Sequence, residues 1–138
     1  RQREGKYLQK EFTTRLQAMK KRTKAIVKQL PLIINRYKER LLKTPSDGNL
    51  SFEQLVGMYS DKIDIAEELS RFMYHIDHVL EILNSKESAG KLIEFVLQEL
   101  LREINTMGSK VQESTITKNI VLIKNEIEKV REQIQNVE

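Results

Sequence analysis

The sequence predicts an all-α fold in which long amphipathic helices pack as a helical bundle with coiled-coil-like antiparallel hairpins. Glycine and proline make up only 7 of the 138 residues, whereas a strand-rich sandwich or barrel needs many more turns. Apolar residues recur at steps of three and four along most of the chain, which is the period of an amphipathic helix. Few segments carry turn residues, so we expect short connections between the helices.

The first expected helix occupies residues 1–43. Its apolar positions, with Thr23 filling one gap, are Phe12, Leu16, Met19, Ile26, Leu30, Ile33, Tyr37 and Leu41. Pro31 lacks an amide hydrogen and clashes with the preceding turn, so we expect it to kink or split this helix. The segment from Thr44 to Asn49 is the clearest turn of the chain.

Three further helices are expected after this turn. Ser51 and Gln54 have the spacing of a capping box and open the second helix. Its heptad-like seam consists of Ala66, Leu69, Met73, Ile76, Leu80 and Leu83. A loop at 84–88 precedes the third helix, in which Gly108 marks a break near the end. The apolar side of that helix carries Ile93, Val96, Leu97, Leu100, Ile104 and Met107. The last helix begins near Ser114, and its seam is Ile116, Ile120, Ile123, Ile127, Val130, Ile134 and Val137.

The charge is unevenly distributed along the chain. Residues 1–43 hold 14 basic and 3 acidic side chains, whereas residues 44–138 hold 10 and 17. A basic first third favours a polyanionic partner such as RNA, DNA or a membrane surface. The alternative is a solvated helix face that pairs with the acidic remainder of the same fold.

The composition also excludes several classes. The chain has no cysteine, which excludes disulfides, thiolate metal sites and a cysteine nucleophile. No apolar run approaches the length of a membrane span, so we expect no membrane partner. The chain opens at an arginine, without a secretory signal, and we expect it to be a fragment of a longer protein.

Polar side chains repeat at offsets of 4, 7 and 11, which return to one face of a helix. These stripes are Asp64, Glu68, Arg71 and His75; Gln98, Arg102, Asn105 and Ser109; Glu99, Glu103, Thr106 and Lys110; and Lys124, Glu128, Arg131 and Gln135. The first is expected opposite the apolar seam. Each stripe is compatible with an ordinary exposed helix face. However, carboxylates stacked one turn apart repel unless a cation lies between them, and with His75 they offer ligands suited to Mn²⁺ or Mg²⁺.

Three long segments resemble one known family. Residues Asp64 to His75, DIAEELSRFMYH, resemble the block D-I/V-x-E-E-L-x-R-L-x-x-H of the YicC/YloC family. Residues Gly90 to Lys110, GKLIEFVLQELLREINTMGSK, resemble its block G-R-x-L-D-F-x-x-Q-E-x-x-R-E-x-N-T-x-x-S-K. The ending EKVREQIQNVE resembles E-x-x-R-E-Q-I-Q-N-I-E. The chain is thus similar to the C-terminal half of that family, as a single all-helical domain over residues 1–138 without the family's N-terminal domain.

The resemblance implies a cytoplasmic bacterial endoribonuclease that hydrolyses single-stranded RNA with a divalent cation, Mn²⁺ or Mg²⁺. It also implies ring-like homo-oligomers such as hexamers. The implied catalytic residues are Glu68, His75, Glu99 and Glu103, and the implied metal ligands are these four together with Asp64. The implied RNA-binding residues are Lys20, Lys21, Arg22, Lys24, Lys28, Arg71, Arg102, Lys110, Lys124 and Arg131.

Four positions depart from the family pattern: Ser51, Leu55, Glu94 and Leu122. Ser51 and Leu55 stand where the family usually has an arginine and a glutamate. If that pair serves catalysis, this protein is weak or inactive; if it is a structural ion pair, Ser51 and Leu55 simply repack. Two other functions remain open from the sequence: a non-catalytic RNA-binding and oligomerisation domain, and a purely structural assembly domain.

Overall fold

A computed structural model describes the backbone of residues 2–43, 51–84 and 90–137, and the side chains of 10–43, 51–84 and 90–135. These residues form four helices: α1 (Gln2–Lys43), α2 (Phe52–Asn84), α3 (Gly90–Lys110) and α4 (Ser114–Val137). The described segments contain no strand, which confirms the all-α prediction. The turn expected at 44–49 lies outside the described residues, as does all but Asn84 of the loop expected at 84–88.

The four helices form an up-down-up-down bundle around one core. In each packed pair, the residue numbers of successive contacts rise on one helix and fall on the other, so sequence neighbours, and α1 with α4, run antiparallel. The contacts are Lys20–Asp77 and Tyr37–Lys62, His75–Glu103 and Glu68–Lys110, Glu94–Gln135 and Gly108–Ile120, and Glu11–Gln133 and Arg15–Glu126. Within the described segments, α1 packs on α2 and α4, and α3 packs on the same two helices. For the residues that the structure describes, the diagonal pairs, α1 with α3 and α2 with α4, do not pack on each other. The α2/α3 groove therefore lies on the opposite side of the bundle from the α1/α4 groove.

One continuous apolar cluster fills the bundle, and all four helices contribute to it. Most of the seam positions expected for α1, α3 and α4 are buried, although Tyr37 and Leu41 near the end of α1 are only half-buried. Thr23 fills its gap by donating from Oγ1 to the carbonyl of Met19 at 2.8 Å. None of the helices in the described segments is sufficiently long and apolar to cross a bilayer.

The sequence predicts that Pro31 kinks or splits α1, but the helix is not split there. It continues from Gln2 to Lys43 with Pro31 inside it. Leu30 and Ile33 on either side are buried in the core, while Pro31 itself is exposed. Packing of these neighbours holds the helix together where proline removes one backbone hydrogen bond.

The start of α2 confirms the predicted capping box. The Ser51 hydroxyl accepts a hydrogen bond from the Gln54 amide at 3.1 Å, and Gln54 Oε1 accepts one from the Ser51 amide at 2.8 Å. Leu55 is buried one turn later. Ser51 and Leu55, where the family usually has an arginine and a glutamate, therefore act here as a helix cap and an apolar packing residue.

The predicted seam of α2 is partly wrong. Leu69 and Ile76 are buried as expected, but Ala66, Met73, Leu80 and Leu83 are only half-buried. The buried positions are Leu55, Lys62, Ile65, Glu68, Leu69, Phe72, Ile76 and Val79. Because α2 packs against both α1 and α3, its contact surface is wider than a two-position seam and is rotated toward α3.

Gly108 does not interrupt α3, which continues to Lys110. A Cβ atom at Gly108 would lie 3.5 Å from Cγ2 of Ile120 on α4, an ordinary contact distance. The helical structure is instead interrupted over residues 111–113, and α4 begins at the predicted Ser114.

Candidate active site

Two of the predicted polar stripes face each other across α2 and α3. Lys110 Nζ of α3 lies 3.0 Å from Glu68 Oε1 and 3.7 Å from Asp64 Oδ2 of α2. Two turns away, His75 Nε2 of α2 lies 3.2 Å from Glu103 Oε1 of α3. We call this surface the carboxylate face; it consists of Asp64, Glu68, Arg71, His75, Glu99, Glu103 and Lys110.

The position of the α2 stripe corrects an expectation. Asp64, Glu68, Arg71 and His75 were expected opposite the apolar seam, but Glu68 is only 7% exposed. The rotation of the α2 contact surface toward α3 brings this stripe to the edge of the interhelical groove. The groove thus collects carboxylates from two helices beside the cations Arg71 and Lys110.

Glu103 has the most unusual environment on this face. Burial raises the pKa of Glu103 above its usual value, and this effect outweighs the opposing influence of the positive charges of His75 and Arg71. The neighbouring carboxylate Glu99 raises the pKa of Glu103 further. Oε1 contacts His75, whereas Oε2 is buried without a hydrogen-bond partner among the residues that the structure describes. Glu103 is therefore a half-buried carboxylate that binds a proton more readily than an exposed one.

Glu68 has a different environment from Glu103, because a lysine contacts its carboxylate. Its Oε1 accepts a hydrogen bond from Lys110 at 3.0 Å, and this hydrogen bond is the main reason why the pKa of Lys110 is raised. Asp64 adds a second negative charge beside the same ammonium group. Lys110 thus offsets one of the two negative charges of Asp64 and Glu68, and within the described residues Glu68 Oε2 is buried without a hydrogen-bond partner.

The oxygen and imidazole donors of this face suit a hard divalent cation. However, no more than two carboxylates in the described segments lie close enough together to bind the same ion. No three acidic or histidine side chains converge in the described segments. Mg²⁺ is commonly held by one or two carboxylates, with water and phosphate oxygens completing its shell. Glu99 and Glu103, one turn apart and without a lysine between them, fit that pattern better than the Asp64–Glu68 pair, which Lys110 already occupies.

The other predicted RNA-binding residues form no side-chain hydrogen bond or ion pair with the carboxylate face among the described residues. Arg102 is exposed on α3, three residues after Glu99. Lys124 and Arg131 belong to the α4 stripe that ends at Gln135, which donates to Glu94 of α3 at 3.2 Å. They therefore lie toward the α3/α4 groove, away from α2.

The basic stretch of α1 spreads around its helix. Lys20 pairs with Asp77 of α2 at 2.6 Å. Lys21 and Arg22 border a cavity of about 430 Å³ in the α1/α4 groove, and Lys24 and Lys28 are exposed. Because this groove lies opposite the α2/α3 groove, one chain does not offer both surfaces to the same nucleotide.

A buried network at one end of the bundle was missed in the sequence. Lys62 is 1% exposed, and its ammonium group donates to the Lys110 carbonyl at 2.9 Å and lies 3.4 Å from Glu113 Oε2. It also lies 5.5 Å from the centre of the Tyr37 ring. The signal was available, because Lys62 lies seven residues from both Leu55 and Leu69 and so shares their buried side.

Comparison with known proteins agrees with these features. The family model for the C-terminal domain of YicC-like endoribonucleases matches residues 17–138. The chain is 38% identical over 147 residues to a probable endoribonuclease YicC of Clostridioides difficile (strain 630), and the alignment covers all of the chain and 50% of that protein. It is 36% identical over 143 residues to a probable endoribonuclease YicC of Haemophilus influenzae (strain ATCC 51907 / DSM 11121 / KW20 / Rd), again over all of the chain and 50% of the relative.

The chain therefore spans about half the length of the curated relatives it matches. The matching family model covers most of the chain and is specific for one domain. With the helical bundle and the carboxylate face, these matches show that the chain belongs to the YicC-like endoribonuclease family, through its C-terminal domain.

Proposed function

We propose that this chain hydrolyses phosphodiester bonds of single-stranded RNA at the carboxylate face. The observation that carries this proposal is the position of Glu103, half-buried between His75 and Arg71 with a raised pKa. A carboxylate whose pKa is raised is a better proton acceptor for water than an exposed one. The family membership of the chain supports the same type of reaction.

In this proposal the residues divide the work by their chemistry. Glu103 accepts a proton from the attacking water as the water oxygen bonds to phosphorus, and His75, in contact with Oε1, relays that proton to the leaving oxygen as its P–O bond breaks. Arg71 offsets the negative charge of the phosphate, since its guanidinium is exposed beside Glu103. Lys110 holds Glu68 and Asp64 in place at the far end of the groove.

We also propose a divalent cation, Mn²⁺ or Mg²⁺, held by Glu99 and Glu103. Such an ion, when bound, lowers the pKa of a bound water and offsets phosphate charge. The fit rests on two oxygen donors one turn apart and on the unpartnered Oε2 of Glu103. Asp64, Glu68 and His75, the other predicted ligands, are in contact with Lys110 or Glu103 and would complete a metal shell only after rearrangement.

The exposed basic side chains of α1 are proposed to guide the RNA strand electrostatically. Because they lie away from the carboxylate face, they would contact parts of the strand distant from the cleaved bond, or serve the carboxylate face of another copy of the chain. A ring-like homo-oligomer, such as a hexamer, and a cytoplasmic location remain parts of this proposal. Light scattering on the purified chain tests the oligomer directly.

One observation favours a second candidate, a non-catalytic RNA-binding and oligomerisation domain. Asp64 and Glu68 already share Lys110, Glu103 contacts His75, and no three ligands converge in the described residues. Such a domain would bind RNA with a steep dependence on salt concentration and leave it intact.

The deciding experiment is a cleavage assay on an end-labelled single-stranded RNA with Mn²⁺, Mg²⁺ or EDTA. Glu103→Gln and Glu99→Gln are compared with Glu128→Gln, an exposed carboxylate of α4. Metal-dependent cleavage that falls by about 10²-fold or more in the first two variants, and not in the third, supports the proposal. Cleavage that survives EDTA and both substitutions refutes the site. Binding without cleavage favours the second candidate.

A further inference from the structure

A cavity of about 310 Å³ opens where α1 ends and α4 begins. Its size lies at the lower end of the range typical of small-molecule sites, roughly 300–1,000 Å³. None of the residues of the carboxylate face lines it. The lining consists of Ile33, Arg36, Tyr37, Arg40, Gln112 and Glu113.

Two guanidinium groups give this cavity its charge. Arg36 and Arg40 lie one turn apart on α1, so their side chains project from the same face. Both are exposed, and within the described part of the chain neither forms an ion pair. A guanidinium offers paired donors that match the oxygens of a phosphate.

The single carboxylate in the lining does not cancel that charge. Glu113 is engaged by the buried ammonium of Lys62 at 3.4 Å and accepts hydrogen bonds from the Gln112 amide and the Tyr37 hydroxyl. Its negative charge is therefore already matched inside the protein. The cavity is left with a net positive opening over a neutral floor.

Tyr37 supplies an aromatic wall beside the two arginines. Its hydroxyl donates to Glu113 Oε1 at 3.2 Å, which fixes the orientation of the ring. The guanidinium carbon of Arg40 lies 6.0 Å from the ring centre. Tyrosine rings and arginine planes are the surfaces on which unpaired nucleobases stack.

We propose that this cavity binds a phosphate ester of a ribonucleotide, with the phosphate on Arg36 and Arg40 and the base against Tyr37. The inference rests on the proposed function in that RNA is the expected source of such a group, and it adds a second binding point for the strand outside the carboxylate face. A free nucleotide carries the same chemistry, so the test distinguishes the two sources.

The test is a binding measurement in EDTA, where no metal-dependent cleavage occurs. The probes are uridine 5′-monophosphate, followed by calorimetry, and a short fluorescein-labelled single-stranded RNA, followed by anisotropy. The double variant Arg36→Gln/Arg40→Gln is compared with Lys38→Gln/Lys43→Gln. The control removes the same charge from the same end of α1 but from exposed residues that do not line the cavity.

We expect the cavity variant to bind at least one probe roughly tenfold more weakly and the control variant to differ little from the original chain. Weakening confined to the RNA identifies the strand as the source, and weakening confined to the monophosphate identifies a free nucleotide. Equal effects of both variants, or no effect of either, overturn the proposal. If the chain cleaves RNA and the cavity variant binds both probes as the original chain does, only the cavity proposal is refuted. If the cavity variant weakens binding but the chain does not cleave RNA, only the proposed function is refuted.

Discussion

Lys62 is the clearest case of a single residue whose environment decides its role. A lysine with almost no exposed surface has to be paired, because an isolated buried ammonium loses its hydration without compensation. Here it joins three parts of the bundle: the Lys110 carbonyl that ends α3, the Glu113 carboxylate that precedes α4, and the Tyr37 ring on α1. The side chain of the same Lys110 reaches Glu68, so Lys62 also supports the carboxylate face.

We expect Lys62→Met to lower the free energy of unfolding by about 3 kcal/mol, because Glu113 loses the cation that neutralises it. The double variant Lys62→Met/Glu113→Gln should recover part of this decrease. Urea unfolding followed by circular dichroism measures both, with Lys118→Met on the exposed surface of α4 as the control. A decrease no larger than that of the control would show that the network contributes nothing to stability.

Glu103 provides a prediction about pH. Its pKa is raised in the folded protein above the ordinary value of 4.5, so the folded state holds a proton more tightly than the unfolded chain. The contribution of this residue to stability is therefore complete below its unfolded pKa and is lost as the pH rises through the higher folded pKa. We expect the stability of the original chain relative to Glu103→Gln to fall as the pH rises above the unfolded pKa toward neutrality.

Urea titrations at several pH values measure this difference, and Glu128→Gln provides the control. His75, Arg71 and Glu99 also affect the pKa of Glu103. The prediction therefore concerns the difference in stability between the original chain and Glu103→Gln, and not the pH profile of the whole protein. A difference that is constant or rises with pH would contradict the assignment of burial as the dominant effect.

At the scale of the element, α1 shows how tertiary packing overrides a local signal. Pro31 predicts an interruption, yet Leu30 and Ile33 are buried on either side and the helix runs through. The sequence correctly identified the helix and most of its apolar positions, because a period of 3.6 is imposed by local geometry. Continuity across Pro31 depends on contacts with other helices, which no local pattern contains.

We expect Pro31→Ala to stabilise the protein by about 1–3 kcal/mol, since it restores one backbone hydrogen bond and removes a steric conflict in an exposed helix position. Thermal unfolding measures the change. The matched control is Asn35→Ala, an exposed position one turn later on the same helix, for which only the few tenths of a kcal/mol expected from propensity are gained. Equal gains in both variants would mean that Pro31 costs no more than an ordinary residue.

The cap of α2 provides a second test at this scale. The reciprocal hydrogen bonds between Ser51 and Gln54 satisfy amide groups that the first turn leaves unpaired. We expect Ser51→Ala to cost about 1 kcal/mol of unfolding free energy, measured by urea denaturation. Ser60→Ala, at an exposed interior position of α2, should be neutral or slightly stabilising, and equal costs at both positions would exclude a capping role.

At the scale of the whole molecule, the antiparallel bundle separates charge onto opposite sides. The cavity between Lys21 and Arg22 of α1 and Asn119 of α4 lies across the bundle from the carboxylate face. A nuclease in one chain would therefore bind part of its substrate on a surface remote from the reacting groups. Assembly of several chains is one way in which the two surfaces would meet on one strand.

We expect Lys24→Gln/Lys28→Gln to weaken RNA binding at low salt and to reduce the slope of log affinity against log salt by about 0.7 for each phosphate that is no longer bound. Because these residues lie away from the carboxylate face, cleavage of bound RNA should proceed at an unchanged rate. Anisotropy titrations over a range of salt concentrations, with single-turnover cleavage alongside, measure the two quantities. Lys118→Gln/Lys129→Gln on α4 controls for total charge, and a matching decrease there would show that charge alone is responsible.

The sequence by itself determined the number and type of helices, most of the core of α1, α3 and α4, the capping box of α2 and the family. Each of these depends on residue period or on nearest neighbours along the chain, which the order of residues contains. It also singled out Asp64, Glu68, His75, Glu99 and Glu103 as members of stripes.

Only the tertiary structure decided which stripes meet. The rotation of α2 toward α3 buries Glu68 and joins His75 to Glu103, while the Arg102 stripe remains exposed and Lys124 and Arg131 lie toward another groove. It also placed Lys62 in a buried ion pair and opened the Arg36–Arg40 cavity. These features depend on how each helix is rotated against its neighbours, and that rotation is set by side-chain packing between segments far apart in the chain.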